Sequence, residues 1–392
     1  MNPASRATTA RELSSAPEQS RSQASAQTKL SLISRRWDFW LIGGASLPVW
    51  LLIVLLKGSA RGAALQTVIF LSQVISVFIF YPHFYWTYRF AYGRGWSFTK
   101  QYWFQLLFVP TILLVIGATA FLTFKSTLAR ELFGLTTFVG LGQAITSGLI
   151  TFMIYTIGWH HSKQTYGCLM AYAHFDGYSL DTKQRGLLRC TAYGFWIINI
   201  ITQQSGGDRV GSFLNIPIYR LQLPSEVLSV SLVAFWSFLA YVGYQVVYRN
   251  WRDYQQLPSK NFLIPLVALT LWWVPPFYQP EFYLFFSTTF HALQYWPFAM
   301  RYEREKSGPS FRMSRLMIFN LIALIFGGFA FFVLPIGFDK LALTEAIRET
   351  GFFLAFSHAA LNIHHYYLDN AIWRGRQSEM QNYILRKSTR AN

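Results

Sequence analysis

Charge and cysteine are what this 392-residue chain has little of. Asp, Glu, Lys and Arg together make up 13% of it, about half the share in an average soluble domain. That scarcity excludes a soluble enzyme and a charge-rich disordered chain. Its two cysteines, Cys168 and Cys190, form no CxxC and no pairing pattern, so no disulfide framework is expected. Acidic residues are scarcer than basic ones: 17 Asp and Glu stand against 34 Lys and Arg, a net charge of +17. In a soluble protein that excess would raise nucleic acid as a partner. Here the cations flank apolar runs and form no basic stripe on a polar domain, so a positive-inside bias accounts for them and no nucleic-acid partner is expected. The segment 1–36 lacks the apolar core of a signal peptide and is rich in Ser, Ala, Gln, Thr and Arg, which reads as a disordered cytoplasmic tail. No GxSxG, P-loop, dinucleotide-binding or HExxH motif occurs, and no repeat of fixed period.

What the chain has in abundance is apolar surface. Hydrophobic residues make up 53%, including 36 Phe, 22 Tyr and 14 Trp. Leu/Ile/Val/Phe-rich runs of roughly 18 residues recur, the length that crosses a bilayer as a helix. The expected fold is therefore all-α, a polytopic transmembrane helical bundle of about ten spans over residues 37–373, followed by a cytoplasmic tail, 374–392. The spans run approximately Phe39–Leu56, Ala64–Pro82, Trp103–Phe124, Leu135–Trp159, Cys190–Gln204, Glu226–Val247, Phe262–Phe277, Phe282–Phe298, Ser314–Leu334 and Gly351–Tyr367. The seventh ends in Trp272-Trp273-Val274-Pro275-Pro276, which suits a broken or re-entrant element. Of the 34 Lys and Arg, 26 fall in the two tails and in the loops after even-numbered spans, leaving 8 for the other loops. That asymmetry places both termini in the cytoplasm. The mixed polar and aromatic segment Met170–Arg189 is expected to lie along the cytoplasmic interface.

The histidines are few and unevenly placed. His83 ends the second span, His160 and His161 end the fourth, His291 lies in the eighth, and His358, His364 and His365 lie in the tenth, with His174 in the loop after the fourth. All seven span residues belong to even-numbered spans, whose C-terminal ends share one side of the bilayer. Ionisable groups at membrane depth are costly and mark functional sites facing the bundle interior. In the tenth span, positions seven and eleven apart return to within about 20° of one helix face. His358, His365 and Asp369 therefore form one stripe, while His364 points toward a neighbour. A stripe of imidazoles ending in a carboxylate suits metal ligation, with Asp369 as a ligand or as the acid that orients a ligand histidine. A structural or proton-relay cluster is the competing account, since imidazole changes charge near physiological pH.

Imidazole and carboxylate without clustered thiolates point to iron, zinc or copper rather than to iron–sulfur or calcium. A histidine cage at one face of an apolar bundle suggests oxygen-activating iron, with the bilayer delivering a hydrocarbon substrate and the buried site shielding reactive species from water. In this respect the chain resembles membrane fatty-acid desaturases and alkane or sterol hydroxylases, whose His-rich boxes bind two irons. It carries the dyads His160-His161 and His364-His365 but not the short-spaced HxxxH and HxxHH boxes. A second resemblance is to the Brp/Blh-type carotenoid-cleaving membrane dioxygenases. It is carried by Pro82-His83 at a span end, by Pro275-Pro276 preceding His291, and by the terminal His364-His-Tyr-Tyr-Leu-Asp369. That family's paired histidines after the Pro-Pro element are here His291 alone. The resemblance implies that His83, His160 or His161, and His291 ligate iron.

The expected function is thus a membrane metalloenzyme, an iron-dependent oxygenase, hydroxylase or desaturase acting on a lipid or isoprenoid, with an electron donor as a further partner. His83, His160, His161, His291, His358, His364, His365 and Asp369 are the candidate ligands of a mono- or dinuclear iron site, and zinc, copper or haem are its alternatives. Tyr85, Trp86, Tyr295 and Trp296 are expected to line an apolar channel. Two rival functions stand beside this one: a proton-coupled transporter with a histidine relay, and a haem-binding electron carrier.

Overall fold

Within hydrocarbon every backbone amide must find its partner inside the chain, and this chain meets that demand with helices. A computed structural model describes residues 30–57, 62–124, 140–206, 210–279, 282, 286–342, 345–373 and 379–385. Helix α1 (Arg35–Gly44) meets α2 (Ser46–Lys57) at a bend of 43°. Next come α3 (Gly62–Tyr92), the short α4 (Trp96–Gln101), α5 (Phe104–Leu122), α6 (Leu141–Phe175) and α7 (Thr182–Gln204). The hairpin of β1 (Val210–Phe213) and β2 (Ile216–Tyr219) precedes α8 (Ser225–Tyr254) and α9 (Lys260–Trp273). The chain then forms α10 (Thr288–Ser307), α11 (Met313–Leu341), the short α12 (Glu345–Thr350), α13 (Phe352–Trp373) and α14 (Glu379–Leu385).

Five of these helices, α3, α5, α6, α8 and α11, are long and apolar enough to cross a membrane, and the bent pair α1–α2 makes a sixth if it is one span. The fold is all-α, and these helices are consistent with a membrane protein. The other four expected spans fall on α7, α9, α10 and α13, which are shorter or more polar. The reason is their position. Outer helices display apolar side chains, such as Leu114, Val230 and Ile325, which are 68%, 69% and 62% exposed. The inner helices α10 and α13 bury His291, Gln294, Asn362, His364, His365 and Asp369, so they carry polar groups that protein, not lipid, must satisfy. Helix α13 packs on α6, α3 and α5, and α10 packs on α3 and α1.

Local chemistry fixes where several helices begin. Asp181 and Gln184 form a reciprocal capping box at α7: the Gln184 amide donates to Asp181 Oδ1 at 2.7 Å and the Asp181 amide to Gln184 Oε1 at 3.0 Å. Ser259 caps α9, accepting from the Phe262 amide at 3.2 Å. Asp339, at the end of α11, accepts from the Phe353 and Leu354 amides in the first turn of α13. Gly327 lets α11 close on α3, since a Cβ there would lie 2.4 Å from Tyr81 Cβ. Helix α3 runs through Pro82 without a break in its assignment.

Three expectations need correction. The packed chain begins before residue 37. Leu32 is fully buried, and the buried Asp38 carboxylate accepts from the Leu32 and Ile33 amides at 2.8 and 2.9 Å. The buried Arg301 of α10 donates to the Ser31 carbonyl, so side chains later in the chain clamp this segment; residues 1–29 lie outside the described residues. His174, expected in the loop after the fourth span, instead lies in the last turn of α6, which continues unbroken to Phe175, and α7 starts at Thr182. Residues 379–385 of the expected C-terminal tail form α14, which packs on α10. The hairpin was also not anticipated. Its turn residues Leu214 and Asn215 both adopt positive φ, the geometry of a two-residue type I′ turn, without the usual Asn-Gly signal. The Trp272-Trp273-Val274 stretch is fully buried and so covered by protein, and residues 280–281 and 283–285 beyond it lie outside the described residues.

Asp38 provides the test of the N-terminal clamp. Asp38→Ala leaves two buried amides without acceptors, at about 1–3 kcal/mol each. The melting temperature in detergent should fall by several degrees, and Asp38→Asn, which keeps one acceptor oxygen, should fall less. Equal melting of Asp38→Ala and the parent protein would show that the segment is not clamped.

Candidate metal centre

Four helices each bring one imidazole to the same place. α3 supplies His83, α6 His160, α10 His291 and α13 His365. One ring nitrogen from each lies within 4.8 Å of the others. All four side chains are buried, between 0% and 4% exposed. The Nε2 atoms of His291 and His160 are 3.0 Å apart. The rings of His83 and His365 stand edge to face at 4.6 Å, those of His160 and His365 at 4.9 Å, and those of His83 and His291 at 5.4 Å.

The donor set fits a metal ion. Nitrogens that share an ion at about 2 Å lie no more than about 4 Å from one another, so the group needs only a small contraction to close on one. The hydrogen-bond accounting points the same way. Both ring nitrogens of His83 and of His365, and Nδ1 of His291 and His161, are buried without a partner. Each such atom costs about 1–3 kcal/mol if nothing binds it. A cation would engage one nitrogen of each of the four rings, and so one of the two unpartnered nitrogens on His83 and on His365. Imidazole ligands suit iron, copper and zinc alike. The described residues contain a buried four-His group that could hold a metal ion, and the ion's identity is a separate question.

Asp369 stands beside the group. Its Oδ2 lies 3.6 Å from His160 Nε2 and 3.7 Å from His365 Nε2, beyond hydrogen-bond length, while Oδ1 accepts from the Thr87 hydroxyl at 2.9 Å. It is thereby held facing two of the four imidazoles, placed to orient a ligand or to approach an ion directly.

The structure does not bring His358, His364 and His161 into the group. His358 does share a face with His365, but seven residues of helix set the two about 10 Å apart along the axis. Its Nδ1 lies 2.9 Å from the Leu354 carbonyl and its ring packs on Phe331 and Phe332. A common face is thus not a common ion. His364 points away, as expected. Its Nδ1 shares a 3.0 Å hydrogen bond with the Tyr88 hydroxyl, and its Nε2 is 3.2 Å from the Gln105 carbonyl. His161 lies next to the group with its ring stacked on His291 at 3.8 Å and on Trp273 at 5.8 Å. His174 is exposed, 3.2 Å from the Leu385 carbonyl, and Cys168 is buried and free.

Several residues that shape the site have no signal in the sequence beyond helical spacing. Thr87, one turn after His83, holds Asp369. Gln164, one turn after His160, donates to the His291 carbonyl at 2.8 Å and to Gln294 Oε1 at 3.3 Å. Gln294 in turn donates to the Ile42 carbonyl at 2.7 Å, tying α6, α10 and α1 together beneath the histidines. The Tyr366 ring stacks on His160 at 4.7 Å and the Phe84 ring on His365 at 4.2 Å. Of the four aromatics expected to line a channel, Tyr295 does so and touches the His83 ring at 4.5 Å. Tyr85 and Trp86 pack instead on Phe319 of α11, and Trp296 reaches toward the Ile79 carbonyl. A cavity of about 970 Å³ opens onto His160 and Asp369.

Comparison with known proteins finds no matching family model, no matching curated protein and no matching solved structure. The geometry is what there is to reason from.

It separates the histidines sharply. His83→Ala, His160→Ala, His291→Ala and His365→Ala should each remove most of the bound metal from detergent-purified protein, measured by mass spectrometry of the elements. His358→Ala and His364→Ala should keep it. Asp369→Asn should weaken binding by about 10–100-fold, the usual effect of losing a group that orients a ligand. Retention of metal by the four single variants would show that the group does not hold it.

Proposed function

We propose that the protein is a membrane-embedded metalloenzyme that holds a single iron with His83, His160, His291 and His365 and oxidises a lipid or isoprenoid as an oxygenase, hydroxylase or desaturase. The observation that carries this reading is the convergence within 4.8 Å of four buried imidazoles from four helices, three of which have unpartnered nitrogens. When bound there, iron would supply activation of dioxygen against unactivated carbon–hydrogen bonds. The chain's own residues supply the rest. The four imidazoles would hold the ion, Thr87 keeps the Asp369 carboxylate facing two of them, and Phe84 and Tyr295 wall the site with apolar surface. Dry, apolar surroundings protect reactive species from side reactions with water. The reading agrees with the resemblance to the carotenoid-cleaving and desaturase-like membrane oxygenases. A hydroxylase or desaturase would also draw on an electron donor, which a dioxygenase does without.

The rival readings fit the geometry less well. A proton relay needs histidines strung along a path, whereas these converge on one point. A haem supplies four equatorial nitrogens itself and leaves two axial positions for protein, which four convergent imidazoles overfill.

The topology that goes with this function has both termini in the cytoplasm, with the shorter or more polar helices α7, α9, α10 and α13 also crossing the bilayer. The excess of Lys and Arg in alternate loops supports it. A cysteine introduced at Ser20, in a variant lacking the two native cysteines, should resist an impermeant maleimide in intact cells and react after lysis. Labelling in intact cells would reverse the orientation.

The functional test is reconstitution. Anaerobic protein stripped by chelator and loaded with Fe(II) should consume oxygen when a lipid extract and a reductant are supplied, and the same protein loaded with Zn(II) should not. His291→Ala should abolish the consumption. Oxygen uptake that is indifferent to iron, or absent with every lipid fraction, would overturn the assignment.

A further inference from the structure

The 970 Å³ cavity differs in character between its two ends. Its floor is the candidate metal centre: His160 and Asp369 line it, with Tyr295 and Tyr366 beside them. It runs along α6 from His160 to His174, about 21 Å of helix at 1.5 Å per residue. Its middle is walled by Met170, Ala171 and Phe298. Arg185 and Arg189 line it from α7, while Lys163, one turn after His160, stands near the floor with its ammonium donating to Asn370 Oδ1. Pockets of about 300–1,000 Å³ take drug-sized ligands, so this one has room for a lipid-sized molecule.

Arg185 and Arg189 lie one turn apart on α7, where like charges repel. Both are exposed, and among the described residues no carboxylate pairs with either. Arg185 gives only its Nε, to the Leu180 carbonyl at 3.1 Å. Asp181, the acid one turn before it, is occupied in capping the Gln184 amide. The α7 wall thus presents two guanidinium forks, and a guanidinium fork matches a planar carboxylate in a bidentate way.

We propose that this cavity binds a long-chain carboxylate, with its head on Arg185 and Arg189 and its chain running inward toward His160. The inference rests on the oxidase reading only for what happens at the chain's inner end; the binding itself needs no metal. A carboxylate is the smallest group that engages the forks in a bidentate way, and the cavity among α6, α7, α10, α13 and α14 gives its chain a route to His160. Such a ligand would also neutralise the repulsion between the two arginines.

The test uses the full-length protein in nanodiscs of neutral phosphatidylcholine, with radiolabelled oleate and oleyl alcohol as probes. Oleate should bind saturably, at least tenfold more tightly than the alcohol. Arg185→Gln combined with Arg189→Gln should cut oleate affinity at least tenfold and leave the alcohol unchanged. A second variant fills the passage. Gly167 lines it, and a Cβ added there meets nothing within 4 Å, so Gly167→Phe starts its side chain in open space and should weaken both probes, with a single size-exclusion peak checking that it folds. Metal content measured on the same samples should not change in either variant. Oleate binding that survives removal of the metal by chelator leaves this inference standing whether or not the iron reading does. Metal-loaded protein that shows no saturable oleate binding overturns this inference alone. So would equal affinity of the two probes, insensitivity to the arginine variants, or a preference for the two-chain phosphatidate over oleate.

Discussion

Burying an imidazole without a partner for its nitrogens is expensive, and this protein does so repeatedly at one point. His83 and His365 have neither nitrogen satisfied, and His291 lacks a partner for one of its two. Much of the surrounding structure reads as support for that arrangement. Gln164 and Gln294 bind main-chain carbonyls of α10 and α1 and fix the helices that carry His160 and His291. Thr87 pins the carboxylate that faces His160 and His365. Gly327 allows α11 to press on α3 beside Tyr81, next to His83. A bundle that needed only to be stable would place Leu or Phe at those four positions, as it does elsewhere in the core.

The same constraint sorts the helices into two kinds. Helices with a long apolar window, α3 and α6 among them, are easily recognised even where they carry a site histidine at one end, whereas α10 and α13 are diluted with His, Asn, Gln and Asp. Polar groups are tolerable on inner helices because neighbouring helices satisfy them. Hydropathy therefore speaks clearly for α3, α5, α6, α8 and α11 and weakly for α10 and α13, although the latter pair carry half of the four-His group.

This explains what was legible in the sequence. The all-α membrane class follows from long apolar runs, which have one physical solution in hydrocarbon. His83, His160, His291 and His365 stand out as histidines at membrane depth. Sequence cannot separate them from His161, His358 and His364, because a helical period reports the angle around an axis and not the depth along a neighbour. His358 illustrates the loss: it has the right face and the wrong level. The roles of Thr87, Gln164 and Gln294 were hidden for a related reason, since each follows a histidine by three or four residues but acts on a different helix. The clamp on residues 31–33 depends on Arg301 and Asp38, contacts between distant or unremarkable polar residues that no local pattern announces. The hairpin escaped notice because its turn is Leu214-Asn215 rather than a glycine-bearing pair.

The four histidines are also spread along the chain in a way that sets a schedule. His83, His160 and His291 lie on helices made earlier, and His365 lies on α13, close to the C-terminus. Domains of a growing chain take shape from the N-terminus onward, so the first three imidazoles are in the membrane while the fourth is still being synthesised. Until α13 inserts between α3, α5 and α6, the group is a three-sided cleft with its fourth wall missing. Any preference of the four-His group for one ion over another would therefore arrive with the last inner helix. A ribosome stalled before that helix would leave behind a membrane protein that is nearly all there and chemically indiscriminate.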